Sequence, residues 1–335
     1  MVKNNYAAWR VDVNMFPHNG TVRDQLSFLV RYAILAPSSH NSQPWQFIIS
    51  QETIRIQPQE KRMLPFCDPD KRLLFIALGC ALENLLIAAD YFGFQTHIVK
   101  AEDEIRVSFQ KKDQTAVPPS VHRIFSIPKR RMNRNPYEDR MPDIEWMKAY
   151  GTAEMEVHTV TEQKKRNDIA DVMLAFKTYK FSDIHFRQEL ARYKRNNFTR
   201  LFTGIPGFTM GFPHVKSFLA PLAIRLLNVA KLTQKEDEEL LKRQTPVLVL
   251  LCTKEDNHKT WIEVGQLYER LSLHAIELGM QTAINAIPDR LDFLSKLKGI
   301  VQTAYHPQIF FRLGFALKTP EHSPRLPIEE VITYV

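Results

Sequence analysis

Two stretches of this chain carry residue types and spacings suited to binding chemistry. The first is residues 37–45, PSSHNSQPW. Hydroxyls from Ser38, Ser39 and Ser42 crowd together with amides from Asn41 and Gln43, and Pro37 and Pro44 stiffen the backbone that carries them. Such a loop offers convergent donors and acceptors at low entropic cost, which suits a planar polar ligand. The second stretch is residues 129–137, KRRMNRNPY, just after Pro128. Arginine is the natural partner of a dianionic phosphate, through paired planar hydrogen bonds. Composition alone leaves blander readings open: ordinary turn chemistry for the first, a solvated charged surface for the second.

Nothing in the sequence looks like machinery for covalent or acid–base catalysis. There is no GxGxxG, P-loop, HExxH or GxSxG. The eleven histidines are scattered without metal-ligand spacing, so no metal is expected. His40 reads as a structural or solvent-facing residue, and no side chain is nominated as catalytic. This pattern fits a site where a bound cofactor performs the chemistry.

The elements around these stretches follow from periodicity. Residues 22–36 form an amphipathic run that Pro37 ends, and residues 45–49 read as a strand. The loop is therefore pinned between a helix end and a strand start. A strand at 53–57, a long buried helix at 72–92 stopping at Gly93, and strands at 96–100 and 105–109 follow, before Pro118 and Pro119 break the pattern. Further on, 155–160 and 307–315 read as strands, 162–177 as a helix, and 246–252 (PVLVLLC) as a fully buried strand. The segment 181–240 has no counterpart earlier in the chain; it carries Gly204, Gly207 and Gly211 and a helix-like run at 217–232. Long insertions of this kind are either binding loops and lids or peripheral elaborations.

The chain also repeats. At a constant offset of 186, Gly79/Gly265, Glu83/Glu269, Leu85/Leu271, Ala89/Ala275, Gly93/Gly279, Gln95/Gln281, Thr96/Thr282 and Ile98/Ile284 are identical. A shared helical pattern does not account for paired glycines followed by Gln-Thr, so an internal duplication is inferred. Two related halves can pack like the subunits of a symmetric dimer.

Residues 36–47, APSSHNSQPWQF, resemble the APSxxNxQPWxF signature of the FMN-dependent nitroreductases. Residues 130–134 (RRMNR) resemble the R-x-S/T-x-R/K element with which that family holds the FMN phosphate, Met132 standing where a hydroxyl is usual. Arg325 sits where the family places a further phosphate-binding arginine. Each element occurs once, so the resemblance implies one composite FMN site: Pro37, Ser38, Ser39 and Asn41 from one half, and Arg130, Arg134 and Arg325 from the other. The fused arrangement and the insertion resemble the Acg-like branch in particular. The implied fold is α+β: two nitroreductase-like halves, residues 1–120 and 121–335, each a mixed sheet flanked by helices, with the insertion at about 181–240 in the second. The implied activity is electron transfer from NAD(P)H through FMN to a nitroaromatic or quinone-type acceptor. The alternative is a flavin-binding or storage protein whose FMN is covered. The implied assembly is a monomer built as a pseudo-dimer.

Length and composition bound the remaining classes. The 335 residues are 44% apolar, enough for a sizeable core. A net charge of +8 favours anionic ligands without choosing among them. The basic clusters lack a nucleic-acid-binding module, and no nucleic-acid partner is expected. Cys67, Cys80 and Cys252 are widely spaced and read as reduced thiols of a cytoplasmic protein. No signal peptide is recognised, and the apolar run at 73–82 reads as too short to span a membrane, so no membrane partner is expected.

Overall fold

The computed structural model describes residues 4–101, 103–112, 122–285 and 287–335. The chain opens with α1 (Val22–Ala33), whose first turn is closed by a capping box between Thr21 and Asp24. The hairpin β1 (Trp45–Ser50) and β2 (Thr53–Pro58) follows, then α2 (Arg72–Tyr91), β3 (Phe94–Lys100) and β4 (Ile105–Lys111). The expected break at Pro118 and Pro119 and the boundary at 120/121 lie outside the described residues.

Next come β5 (Met155–Val160), α3 (Gln163–Lys180), α4 (Ile184–Tyr193), β6 (Lys194–Arg195), β7 (Ile205–Pro206), α5 (His214–Leu226), α6 (Val229–Leu232) and α7 (Gln234–Lys242). The chain finishes with β8 (Val247–Thr253), α8 (His258–Glu277), β9 (Gln281–Asn285), α9 (Leu291–Val301), β10 (His306–Gly314) and β11 (Ile332–Tyr334).

Two sheets carry the architecture. The first has the order β11-β1-β2-β4-β3, antiparallel except where β11 runs parallel to β1. The second is antiparallel throughout, in the order β5-β8-β10-β9. Helix α2 packs on the first sheet, α8 on the second, and the two helices pack on each other. Strand β8 is buried along its whole length. Val247, Val249 and Leu251 join the main core, whereas Leu248, Leu250 and Cys252 join the smaller core under α3 and α9. That is why its sequence is apolar without alternation.

The expected elements differ from the observed ones in three places. The run at 217–232 is two helices, α5 and α6, separated by extended backbone at Leu227. The final strand β11 joins the first sheet, so a division of the chain at 120/121 does not separate the two sheets. The apolar run at 73–82 is part of the 20-residue α2, the helix among the described residues that is long and apolar enough to cross a membrane; 83% of its apolar window is buried inside the protein.

Helices α2 and α8 begin and end at positions 186 apart, 72 and 258, 91 and 277. Their glycine stops match too, Gly93 and Gly279 both having positive φ (77° and 76°) that a side chain would oppose. At their crossing, a Cβ on Gly79 would lie 2.0 Å from the Ile262 carbonyl oxygen, and a Cβ on Gly265 would lie 2.0 Å from that of Ile76. The contact maps onto itself under the same offset. Because each clash is with backbone, no rotamer change relieves it. Gly79→Ala and Gly265→Ala should each lower stability by at least about 2 kcal/mol. Gly299→Ala, at an exposed helical site with open space around it, should be neutral or slightly stabilising. Urea-denaturation midpoints check this; near-neutral effects at residues 79 and 265 would contradict the close crossing.

Candidate functional site

Helix α1 stops at Ala33, and the chain turns through residues 34–36 before Pro37. The end of a helix leaves carbonyls without intrahelical partners and carries partial negative charge. Here arginines supply the donors. Arg130 Nη2 donates to the Leu35 carbonyl at 2.7 Å. Arg325 Nη2 donates to the carbonyls of Leu35 and Ala36 at 3.2 and 3.1 Å. Both guanidinium groups are buried. Arg130 also lies 3.1 Å from the buried carboxylate of Glu269, a member of the repeated helix pair. Burial pushes that carboxyl's pKa up while Arg130 pulls it down.

The loop itself is held in an unusual backbone shape. His40, Asn41 and Gln43 all have φ near +53°, a region side chains rarely enter. Side-chain hydrogen bonds hold Asn41 and Gln43 there. Asn41 Nδ2 donates to the carbonyls of Gly204 and Pro324, and its Oδ1 accepts from Arg325 Nη1 at 2.7 Å. Gln43 Nε2 donates to the Phe202 carbonyl at 2.7 Å, and its Oε1 accepts from the Leu326 amide at 2.8 Å. The Ser38 Oγ accepts from the Gln43 amide at 2.9 Å. Three distant parts of the chain thus meet on this loop: residues 202–204 of the insertion, residues 324–326, and the end of α1.

Where they meet there is a cleft of about 510 Å³, including its open mouth. Pro37, Ser38 and Asn41 line it, as do Arg130, Arg131, Arg134 and Arg325. Ile205 and Thr209 of the insertion form part of its wall, and Glu321 is its one acidic lining residue among those described. Trp9 lines it too, stacked on His322 at 3.9 Å and lying 4.6 Å from the Arg325 guanidinium. Ser39 does not line the cleft; its Oγ lies 3.6 Å from the Cys67 sulfur. Met132 turns its sulfur to the Ile284 amide at 3.0 Å, into the β9 edge.

The arginines differ in what they have left to offer. Arg130 and Arg325 are already engaged. Among the described residues no hydrogen bond or ion pair reaches the Arg134 guanidinium. Burial and the neighbouring Arg312 depress its pKa to about 10. Arg131 is held at about 10 by burial and Arg130, and Arg325 at about 9 by burial and Arg130. Lys194 lies beside them with its Nζ 3.0 Å from the Met210 sulfur. Burial, then Arg134 and Lys177, push it down to about 7. His40 is pushed down to about 3 by burial, Lys194 and Arg134. Burial is the largest cause of each of these shifts and neighbouring cations add to it, an environment that a bound anion would relieve.

Sequence reasoning missed several of these residues. Arg131 was passed over for its neighbour, because an RR pair does not show which member faces a cleft. Lys194 read as part of a basic cluster, 192–195. Folding also brings ligand atoms of His40, Cys67 and Glu189 within 4.8 Å of one another, a grouping that sequence spacing does not show. Both Glu189 oxygens already accept from the amides of Phe66 and Cys67, and Lys194 and Arg134 oppose a cation beside His40.

No family model matches the chain. A Mycobacterium tuberculosis protein named "Putative NAD(P)H nitroreductase acg" is 22% identical over 334 residues, covering 94% of this chain and 97% of that protein. The chain is thus similar to that protein along nearly its whole length. A second M. tuberculosis protein with an NAD(P)H nitroreductase name is 31% identical over 130 residues, a match spanning 36% of this chain and only 36% of that one. Among solved structures, the FMN- and NADPH-dependent nitroreductase NfnB of a Sphigopyxis strain is 14% identical, covering 64% of this chain and 98% of its own, with a TM-score of 0.42. Iodotyrosine deiodinase bound to FMN and 3-iodo-L-tyrosine is 15% identical, covering 61% of this chain and 94% of its own, with a TM-score of 0.37.

The electrostatics of the cleft have a measurable consequence. Lys194 titrates near 7 when folded and near its ordinary 10.5 when unfolded. Between those values the unfolded chain binds more protons, so this residue makes stability rise with pH over that window. Below about pH 7 both states are protonated and its slope vanishes. Melting temperatures between pH 7 and 9 should therefore rise less steeply in Lys194→Met than in the parent. Equal slopes would show that Lys194 is not held in the free-base range.

Proposed function

We propose that the cleft binds FMN and that the chain is an FMN-dependent NAD(P)H oxidoreductase of nitroreductase type. The observation that carries this reading is Arg134: a half-buried guanidinium that no hydrogen bond or ion pair reaches among the described residues, lining a cleft with three further arginines. A phosphate is the group such an arginine accepts best. Arg134 and Arg131 would take the phosphate of FMN. Arg130 and Arg325 add charge while holding the end of α1. Ser38 and the backbone of residues 37–41 offer polar contacts to a planar ring. When bound, FMN supplies two-electron chemistry, taking hydride from NAD(P)H and passing electrons to a nitroaromatic or quinone-type small molecule. The residues of the chain then have binding, orientation and control of access as their tasks.

In the same proposal the chain is two fused nitroreductase-like halves, with the loop drawn from the first and the arginines from the second. The symmetric crossing at Gly79 and Gly265 supports it. One complete site per chain follows, since each element occurs once.

One observation favours the second reading, a flavin-holding protein with restricted turnover. Residues 202–204 of the insertion hydrogen-bond directly to the loop, and Ile205 and Thr209 wall the cleft. An insertion seated there would limit the approach of nicotinamide, which must stack within about 3–3.5 Å of its acceptor atom.

Reconstitution with excess FMN, removal of the free flavin and denaturation should release one FMN per chain. No retained flavin, or two per chain of similar affinity, contradicts the composite site. Anaerobic stopped-flow mixing with NADPH then separates the two readings. Reduction at roughly 1 s⁻¹ or faster is the rate of an ordinary enzyme. Flavin that dithionite bleaches promptly while NADPH does not is flavin held under a lid.

A further inference from the structure

Helix α5, His214–Leu226, is apolar nearly all round: His214, Lys216, Ser217 and Arg225 are its polar residues. Helices of that kind belong inside a protein or against lipid. Only one side of α5 is inside. Ser217 is buried against Gly207 and Asn197, and Ile224 is buried with Phe186 and Leu190 of α4. On the other side Val215, Phe218, Leu219, Leu222 and Leu226 are 73, 55, 59, 57 and 64% exposed. At about 100° per residue these five occupy an arc of roughly 100° opposite the buried residues. None of them lines the cleft. Leu227 and Leu232, exposed on the following turns, extend the apolar surface.

The charge around this face is one-sided. From Leu190 to Lys235 the chain has eight Lys or Arg residues and no Asp or Glu, although Lys194 among them lies beside Arg134 and not on this face. On the helix, exposed Lys216 and Arg225 flank the apolar arc on its two edges, and exposed Arg200 and Lys231 lie on the adjoining segments. The acidic residues of α7 just beyond are largely spent: Asp237 pairs with Lys177, Glu238 with Lys242 and Glu239 with Arg243.

We propose that α5 is a membrane-surface element that lays its apolar face into the interface of an anionic lipid bilayer. An apolar stripe bordered by basic residues is the pattern that sinks into the headgroup boundary while its cations reach anionic headgroups. The helix has 13 residues, too few to span a bilayer, so it lies on the surface. The charge pattern argues against a second copy of the chain as the occupant: two such faces would bring like cations together. This docking does not depend on what the cleft binds.

Flotation of the full-length protein with vesicles tests it. The probes are phosphatidylcholine vesicles with and without roughly 30% phosphatidylglycerol. The protein should float with the anionic vesicles at low salt and be released at about 1 M salt, where surface charges are screened within about 3 Å. Leu219→Asp/Leu222→Asp should abolish flotation. Lys216→Glu/Arg225→Glu should weaken it at least roughly tenfold. All four positions are exposed, and unchanged melting curves confirm that the variants remain folded. Three results overturn the proposal: no flotation of the parent, flotation that neither variant changes, or sedimentation showing a dimer that Leu219→Asp/Leu222→Asp dissolves.

Discussion

Buried positive charge is the constraint on which this structure turns. A guanidinium taken out of water must find a carboxylate, a set of carbonyls or a bound anion. Arg130 finds Glu269 and the Leu35 carbonyl. Arg325 finds Asn41, the Pro324 carbonyl and the carbonyls at the end of α1. Arg312 finds the carbonyls of Asn133 and Asn135 and lies 4.7 Å from the Tyr137 ring. Among the described residues Arg134 has nothing comparable. In the proposed reading Arg134, with Arg131 beside it, is left for a ligand, while Arg130 and Arg325 shape the walls of the cleft.

The fold delivers these charges through one close contact. Because Gly79 and Gly265 let α2 and α8 touch backbone to backbone, Glu269 on α8 comes within reach of Arg130, and α1, packed on α2, has its C-terminal end beside residues 130–134. The pairing is not perfectly symmetric. Glu83 is held by two hydrogen bonds from Arg270, on the neighbouring helix, at 2.8 and 2.9 Å. Position 84, which the offset of 186 matches to Arg270, is Asn, and Glu269 takes Arg130 instead. Of the residues in this asymmetric set, Arg130 lines the cleft.

Much of this was legible in the sequence because it rests on local pattern. The alternation at β2, the unbroken apolar run of β8 and the glycine stops after α2 and α8 follow from side-chain period and backbone freedom. The loop at 37–45 stood out through its crowded hydroxyls and amides. Other features are set by partners far along the chain. That β11 crosses to the first sheet depends on a pairing with Phe47, Ile48 and Ile49 that three terminal residues do not announce. The break at Leu227 has no glycine or proline to mark it. Which arginine of the basic run would be left unpaired depended on Glu269 and on the end of α1, both invisible to a reading of residues 129–137 alone.

The central claim is that Arg134 is kept free for a phosphate. Equilibrium titration of FMN and of riboflavin, which lacks the phosphate, into the parent and into Arg134→Ala tests it most directly. A charge-assisted hydrogen bond of this kind is worth about 1.5–3 kcal/mol, roughly tenfold to a hundredfold in Kd. Arg134→Ala should cost FMN that factor and leave riboflavin nearly unchanged. Equal losses for both flavins, or no loss for either, would contradict the account.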